Sequence, residues 1–440
     1  MRKSRERELA FKGEITAFLA MIFVLMMSLV GALIESVSVQ MTKNRNRADT
    51  CLALESTFAE YDRQMLEKYD LFVKSECSES VLQKQLEYYG AGNMSHSLLK
   101  KELLTDAGGA SFREQAIRYV RNRFGIQELP QDIEYDFYSE TYLEEEELVY
   151  MDLEELLAQE ENNLPEENNP IVSVQSLKNT DLLTLLVPNA EEISDRSVSV
   201  ENLPSQREVE KGNWGEHRSD EKTDKVFLVA YLTEHFTNVK NAKQTQQLLY
   251  EQEYLVGGCS SDRENLENVC KRMLSIRMVA NYAYLLTDAG KQAEAQALSL
   301  TLCSLLTMPG ITEVVKHAIL LGWAYGESIV DVRVLLKGEK VAAIKTADTW
   351  QLQLANLVKL GTDEEMVNEI DVSGGVSYQT YLTGLLFMKR TEVLSMRSLD
   401  LIECNLSVKT DACVTRMEIE SKATLRRGVK DSFTTSFQYQ

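Results

Sequence analysis

The sequence predicts a mainly helical α+β protein: a long N-terminal transmembrane helix that continues into an extracytoplasmic helical head, closed by a C-terminal β-hairpin. Three observations carry this expectation. Twenty consecutive uncharged residues run from Ile15 to Ile34, the stretch from Asp224 to Leu336 holds a single proline, and residues 413–425 alternate apolar or small side chains with charged ones. These are the length of a bilayer-crossing helix, room for long uninterrupted helices, and the period of a half-buried strand.

Residues 1–13 form a basic tail with Arg2, Lys3, Arg5, Arg7 and Lys12, whereas only Lys43, Arg45 and Arg47 follow the apolar run closely. That bias favours a cytoplasmic N-terminus and places the rest outside. Residues 14–35 are then the span, with the lipid bilayer as the partner of Ile15 to Ile34. A cleaved signal peptide is the rival reading; its apolar core is usually about 7–15 residues, shorter than this run. The nearest small-x-small site is Ser36-Val37-Ser38.

Residues 36–125 read as a juxtamembrane amphipathic helix followed by short helices. Cys51, Leu54, Phe58, Tyr61, Met65, Tyr69 and Phe72 share one helical face. From Glu14 to Phe72 there is no proline and one glycine, Gly31. One helix through the whole stretch and two helices hinged near Thr42 to Arg47 are both open. Residues 80–124 read as short helices around a Gly108-Gly109 break. Residues 126–220 read as an acidic, proline-containing insertion or linker: from Phe124 to Leu177 there are sixteen Asp or Glu and no Lys or Arg. Such a stretch repels itself and buries little apolar surface.

Residues 221–390 read as the helical core. Ser261 followed by Glu264 matches a capping box opening a helix to about Leu286, and Pro309-Gly310 separates a helix near Lys291 to Thr307 from one near Thr312 to Leu336. The last contains nine uncharged residues from Ala318 to Gly326, bracketed by Lys316, Glu327, Asp331 and Arg333, so it is a core helix holding Trp323 and not a second span. Residues 391–440 read as a helix plus hairpin. Met417, Ile419 and Ala423 face one side of the first strand, Arg427-Gly428 supplies a turn, and Val429, Phe433, Phe437 and Tyr439 follow on one face of the second. A lone hairpin is marginal, so a further strand is expected to join it, with 171–175 as the candidate.

Composition restricts function. A net charge of −21 and a pI near 4.8 repel nucleic acid and argue against an anionic-lipid surface. The seven cysteines include no Cys-x-x-Cys pair; Cys259 with Cys270, or Cys404 with Cys413, could bridge, and free buried thiols fit equally well. Four histidines, His96, His217, His235 and His317, lack the i, i+4 spacing of a helical metal site. The Glu144 to Glu147 run lacks a calcium-loop pattern. Ser97-Leu98-Leu99-Lys100 matches the Ser-x-x-Lys of acyl-enzymes without its companion motifs, so Lys100 reads as a surface lysine of an amphipathic helix more readily than as the base for Ser97. No catalytic, metal or cofactor-binding residue is assigned, and no cofactor is expected.

Two segments, Lys12-Gly13-Glu14-Ile15-Thr16-Ala17-Phe18-Leu19 and Leu54-Glu55-Ser56-Thr57-Phe58-Ala59-Glu60-Tyr61-Asp62, resemble the opening of a bacterial single-pass membrane family of unknown function. Further matches are Ser194-Asp195-Arg196-Ser197, Leu203-Pro204-Ser205, Glu253-Tyr254-Leu255-Val256-Gly257-Gly258 running into Ser261-Asp262-Arg263-Glu264-Asn265-Leu266, and Lys345-Thr346 before Trp350. That family is similar in layout to the TadE, TadF and TadG pseudopilin-like proteins of tight-adherence (Flp-type) pilus systems. The resemblance implies a membrane-anchored, outward-facing, non-enzymatic protein, with membrane or pilus-assembly proteins as partners. Phe18 stands five residues after Gly13, where pilins carry a buried glutamate. The expected function is a structural part of a pilus or secretion assembly; a surface binding or adhesion module without a filament, and a Ser97–Lys100 hydrolase, are the alternatives.

Overall fold

The computed structural model describes residues 2–75, 77–125, 170–187, 192–215, 223–243, 246–305, 311–362, 367, 370–425 and 428–439. Most of the acidic segment, with Glu144 to Glu147, lies outside these residues, as do His217 and the Arg427 turn position. The architecture is α+β and mainly helical, with a three-stranded antiparallel sheet packed against the C-terminal end of the N-terminal helix.

Helix α1 (Arg2–Phe58) is unbroken over 57 residues, ~85 Å at 1.5 Å per residue. The one-helix alternative holds, ending at Phe58 and not at Phe72. No hinge forms near Thr42 to Arg47 because local bonds carry the helix through: Thr42 Oγ1 donates to the Ser38 carbonyl (2.9 Å) and Arg45 pairs with Asp49 one turn on (3.6 Å). The helix stops where competing groups take over. Tyr439 Oη donates to the Phe58 carbonyl (2.7 Å), and Asp62 caps the next helix, α2 (Arg63–Tyr69), by accepting from the Gln64 and Met65 amides.

After α3 (Glu79–Leu86) the chain forms a strand, β1 (Ser95–Leu103), where the sequence reading expected short helices. Leu98 and Leu99 together oppose Ile419, and this bulge displaces the alternation that marks a strand. Gly108 and Gly109 then adopt positive φ inside the start of α4 (Asp106–Phe124), a kink and not a break. The expected strand at 171–175 is instead helix α5 (Pro170–Lys178), with Pro170 at the first position and Val174 and Leu177 buried three residues apart. β1 takes the place expected for it beside the hairpin.

The remaining helices are α6 (Leu182–Leu186), α7 (Asp224–His235), α8 (Glu251–Gly257), α9 (Asp262–Thr287), α10 (Ala289–Leu305), α11 (Thr312–Lys337), α12 (Tyr378–Met388) and α13 (Thr391–Leu406). The Ser261–Glu264 capping box forms with both reciprocal bonds and opens α9. At the centre lies α11, with Trp323 buried and its indole donating to the Leu352 carbonyl (2.8 Å). Gly326 lets the 352–360 segment close on α11: a Cβ there would meet Leu357 Cδ1 at 2.5 Å.

Strands β2 (Val414–Thr424) and β3 (Lys430–Gln438) form the expected hairpin, and the sheet order is β1-β2-β3. Met417, Ile419 and Ala423 pack with Leu54, Phe58, Leu82 and Leu86 in a core beside the larger helical one. All seven cysteines are free, so of the two open readings the free-thiol one holds and neither possible bridge forms; burial pushes the Cys404 and Cys413 thiols up to about 12, which leaves both inert near neutral pH.

In α8, Glu251, Gln252 and Glu253 are all fully buried, and they hold the 236–239 segment by its backbone. Glu251 accepts from the Thr237 amide (2.8 Å), Gln252 donates to the Phe236 carbonyl (2.6 Å), and Glu253 accepts from the Val239 amide (3.0 Å) and Tyr378 Oη (2.7 Å). Glu253 Oε2 has no hydrogen-bond partner among the described residues, and burial pushes this carboxyl up to about 7 against those two bonds. The folded protein keeps the proton between pH 4.5 and about 7 while the unfolded chain releases it, so stability is highest below that window and falls as pH rises through it. Glu253→Gln is therefore expected to match the parent near the lower end and exceed it above pH 7 by about 3 kcal/mol, measured as urea unfolding at a series of pH values.

Candidate functional site

The join between the apolar helix and the head is the feature with the clearest functional content. The part of α1 from Ile15 onward is long and apolar enough to cross a membrane, with a mean hydropathy of 2.7 in its most apolar window and none of that window buried. Phe18, Phe23 and Leu29 are all exposed. About four turns above the end of the apolar run the same helix becomes core. Thr50, Ala53, Leu54, Thr57 and Phe58 are buried, and Thr57 Oγ1 donates to the Ala53 carbonyl (2.8 Å), so its hydroxyl costs nothing inside.

The seam is aromatic. Phe58 stacks on Phe437 with ring centroids 4.5 Å apart and meets Tyr439 edge-on at 5.4 Å; Phe72 stacks on Tyr439 at 5.7 Å. Lower on α1, Arg47 lies over the Phe433 ring (5.6 Å) and Lys43 pairs with Asp431 (3.3 Å). Contacts thus rise along both elements together, from Lys43 with Asp431 to Phe58 with Tyr439, which places β3 alongside α1 and parallel to it. Glu60, just beyond the helix, holds Lys74 (2.8 Å), Tyr89 (2.5 Å) and Gln85 (2.7 Å), and the Lys74 bond lowers its pKa first.

Ser97 and Lys100 lie on β1, not on a helix. Ser97 pairs with Glu420 across the sheet, and Lys100 Nζ is engaged by Glu418 (3.6 Å) and sits over the Trp214 ring (5.6 Å). The helical-turn geometry that would make the lysine a base is absent. Three histidines serve structure: His96 bridges Ser421 Oγ (2.8 Å) and the Ala91 carbonyl (3.0 Å), His235 meets Asp70 (3.0 Å), and His317 meets Tyr282 Oη (3.0 Å). Among the described residues no three His, Cys, Asp or Glu side chains gather as a metal site.

The densest polar constellation is a buried quartet of charges that sequence reading did not separate from the many other carboxylates. Arg277 on α9 donates to Asp331 Oδ2 on α11 from Nε (2.9 Å) and Nη2 (2.8 Å), and from Nη1 to the Ala342 carbonyl (2.9 Å). Lys345 meets Glu327 Oε1 (2.5 Å) and Asp331 Oδ1 (2.7 Å). Glu327 also accepts from the Gln351 (3.0 Å) and Leu352 (2.7 Å) amides, and Asn281 and Gln351 complete Asp331. Burial raises the Glu327 pKa against the attraction of Lys345. The four side chains are at most 1 % exposed, so no substrate reaches them. Two cations balance two anions and tie α9, α11 and the 342–352 segment together. Glu327 and Asp331, one turn apart and fully buried inside the central helix α11, were the sequence trace of this pairing.

Beside the quartet, Ala280, Ala283, Tyr284, Ile344 and Thr346 line an open groove of about 620 Å³. Ile344 is 82 % exposed at its rim.

Two variants test the weight carried by these contacts. Asp331→Ala leaves Arg277 buried without a carboxylate and Lys345 with Glu327 alone, and is expected to lower the unfolding free energy by about 3–5 kcal/mol in urea titrations. Phe58→Ala is expected to cost about 3–5 kcal/mol and to raise amide hydrogen exchange over residues 50–58 well above that of α11.

No curated protein and no solved structure matches the chain. A sequence profile for a family of unknown function, DUF5702, matches residues 160–425, more than half of the 440 residues, covering the main helical core and all of β2. The chain belongs to that family, DUF5702.

Proposed function

We propose that this protein is a membrane-anchored, outward-facing, non-enzymatic structural component of a tight-adherence (Flp-type) pilus or a related secretion assembly. The observation that carries the reading is the unbroken α1, apolar and exposed from Ile15 to Ile34 and core of the head over its last turns. A single rigid element then holds the head at a fixed height and orientation above the bilayer. An uncleaved anchor suits this better than a signal peptide, because cleavage after the apolar run would remove the lower part of a helix whose upper part is built into the head. The basic tail supports a cytoplasmic N-terminus. Phe18, in the place of the pilin glutamate, favours a fixed assembly factor over a polymerised subunit.

The exposed Ile344 beside the alanine-lined groove supports a second reading, a surface-anchored binding or adhesion module without a filament.

Shearing native cells and immunoblotting filaments, washed membranes and protease-treated intact cells tests both. The expected result is protein retained in membranes and cleaved from outside, with surface filaments lost on deletion of the gene. Unchanged filaments after deletion would defeat the assembly reading, and protection from external protease would defeat the topology.

A further inference from the structure

We propose that the membrane-facing end of the β2–β3 hairpin, at Gly428 to Lys430 where β3 begins, is a second membrane contact, a foot that rests in the headgroup layer and is held there by anionic phospholipid. The inference rests on the anchored reading of α1 and adds a lipid-binding surface on the head itself.

The geometry comes from the parallel course of α1 and β3. Asp431 is fixed to Lys43 (3.3 Å), nine residues above Ile34, which at 1.5 Å per residue is ~14 Å above the end of the apolar run. β3 climbs away from the membrane, so the residues before Asp431 descend by ~3.3 Å each. Val429 and Gly428 therefore lie roughly 7–10 Å below Asp431. That is within the headgroup layer, which adds roughly 5–8 Å beyond the hydrocarbon on each side.

A second observation agrees. Along α1, Glu35, Val39, Lys43, Asn46 and Asp49 are half-buried while most of their neighbours are exposed, and their three- and four-residue spacing marks one stripe. The head therefore shields one face of α1 down to the first residue after the apolar run.

The chemistry of this end suits an anionic surface, although the whole chain carries −21. Lys43, Arg45 and Arg47 come from α1, and Lys422 and Lys430 from the hairpin. The acids on α1 and the hairpin toward this end are Glu35, Asp49, Glu420 and Asp431; Asp431 pairs with Lys43, Asp49 with Arg45, and Glu420 with Lys422 (2.8 Å). Arg47 and Lys430 have no acidic partner among the described residues, and Val429, 40 % exposed, supplies an apolar tip between them and the lipid. A basic side chain near an anionic membrane surface is drawn to it by the negative surface potential, so these two give a modest hold that the covalent anchor makes local.

The test uses the full chain in a Cys51→Ser background, since Cys51 is the exposed thiol among the seven cysteines. Val429→Cys and Ser436→Cys are each labelled with an environment-sensitive fluorophore and reconstituted into phosphatidylcholine vesicles with or without phosphatidylglycerol. Flotation reports insertion of α1; quenching by headgroup spin-labelled lipid reports the foot. Position 436 lies ~23 Å farther along the strand and controls for general proximity. The expected result is flotation in both lipids, with quenching at 429 several-fold above that at 436, increased by phosphatidylglycerol and returned to the phosphatidylcholine level by Arg47→Glu with Lys430→Glu. Flotation with equal quenching at the two positions overturns the foot while leaving the anchor standing. Quenching at 429 that ignores phosphatidylglycerol overturns the anionic partner. Failure to float overturns the anchor and the foot with it.

Discussion

The burial of the last turns of α1 against the sheet is the constraint from which the rest follows. A helix that is uncharged and exposed from Ile15 to Ile34 takes no part in the core of the head there, and one whose last turns are core cannot be released from the head without opening it. Phe58, stacked on Phe437 and capped by Tyr439, joins those two regimes at the point where the chain turns away. The sheet exists in the form it does because this seam needs a flat apolar face. Met417, Ile419 and Ala423 supply it, and β1 protects the far side of β2.

Inside the head, polar groups set the geometry that apolar packing alone leaves loose. Glu251, Gln252 and Glu253 grip a backbone segment, and the Arg277, Asp331, Lys345 and Glu327 quartet sets the spacing between α9 and α11. Ionic groups of this kind contribute little net stability over well-packed apolar ones, because desolvation offsets their attraction. What they supply is a single permitted arrangement: a shift of α11 by one residue would part both carboxylates from their cations. For the anchored head proposed above, definition of geometry is the relevant property.

Much of this fold was legible in the sequence, and the exceptions have physical reasons. The apolar run, the Ser261 capping box, the helices on either side of Pro309-Gly310 and the alternating arm from Cys413 to Leu425 all appear where local pattern placed them, because each is specified by neighbours in the chain. β1 was hidden by its Leu98–Leu99 bulge, and the 171–175 segment read as a strand because its apolar residues are too few to separate period two from a helical turn. The site was less legible than the fold. The Phe58 seam joins residues almost 400 positions apart, and Glu327 and Asp331 read as the polar ends of an apolar run until Arg277 and Lys345 are brought against them. Long-range pairing of that sort leaves no local period to detect.

The parallel course of α1 and β3 also decides how copies of this head can associate. β3 is the outer strand of its sheet, and joining two such strands antiparallel to make one continuous sheet requires a two-fold axis perpendicular to that sheet. The same rotation reverses α1, so the two membrane helices would leave the pair in opposite directions. Two copies rooted in one bilayer are thereby barred from symmetric edge-to-edge pairing. Topology alone supplies the protection that other exposed strands obtain from prolines or inward charges.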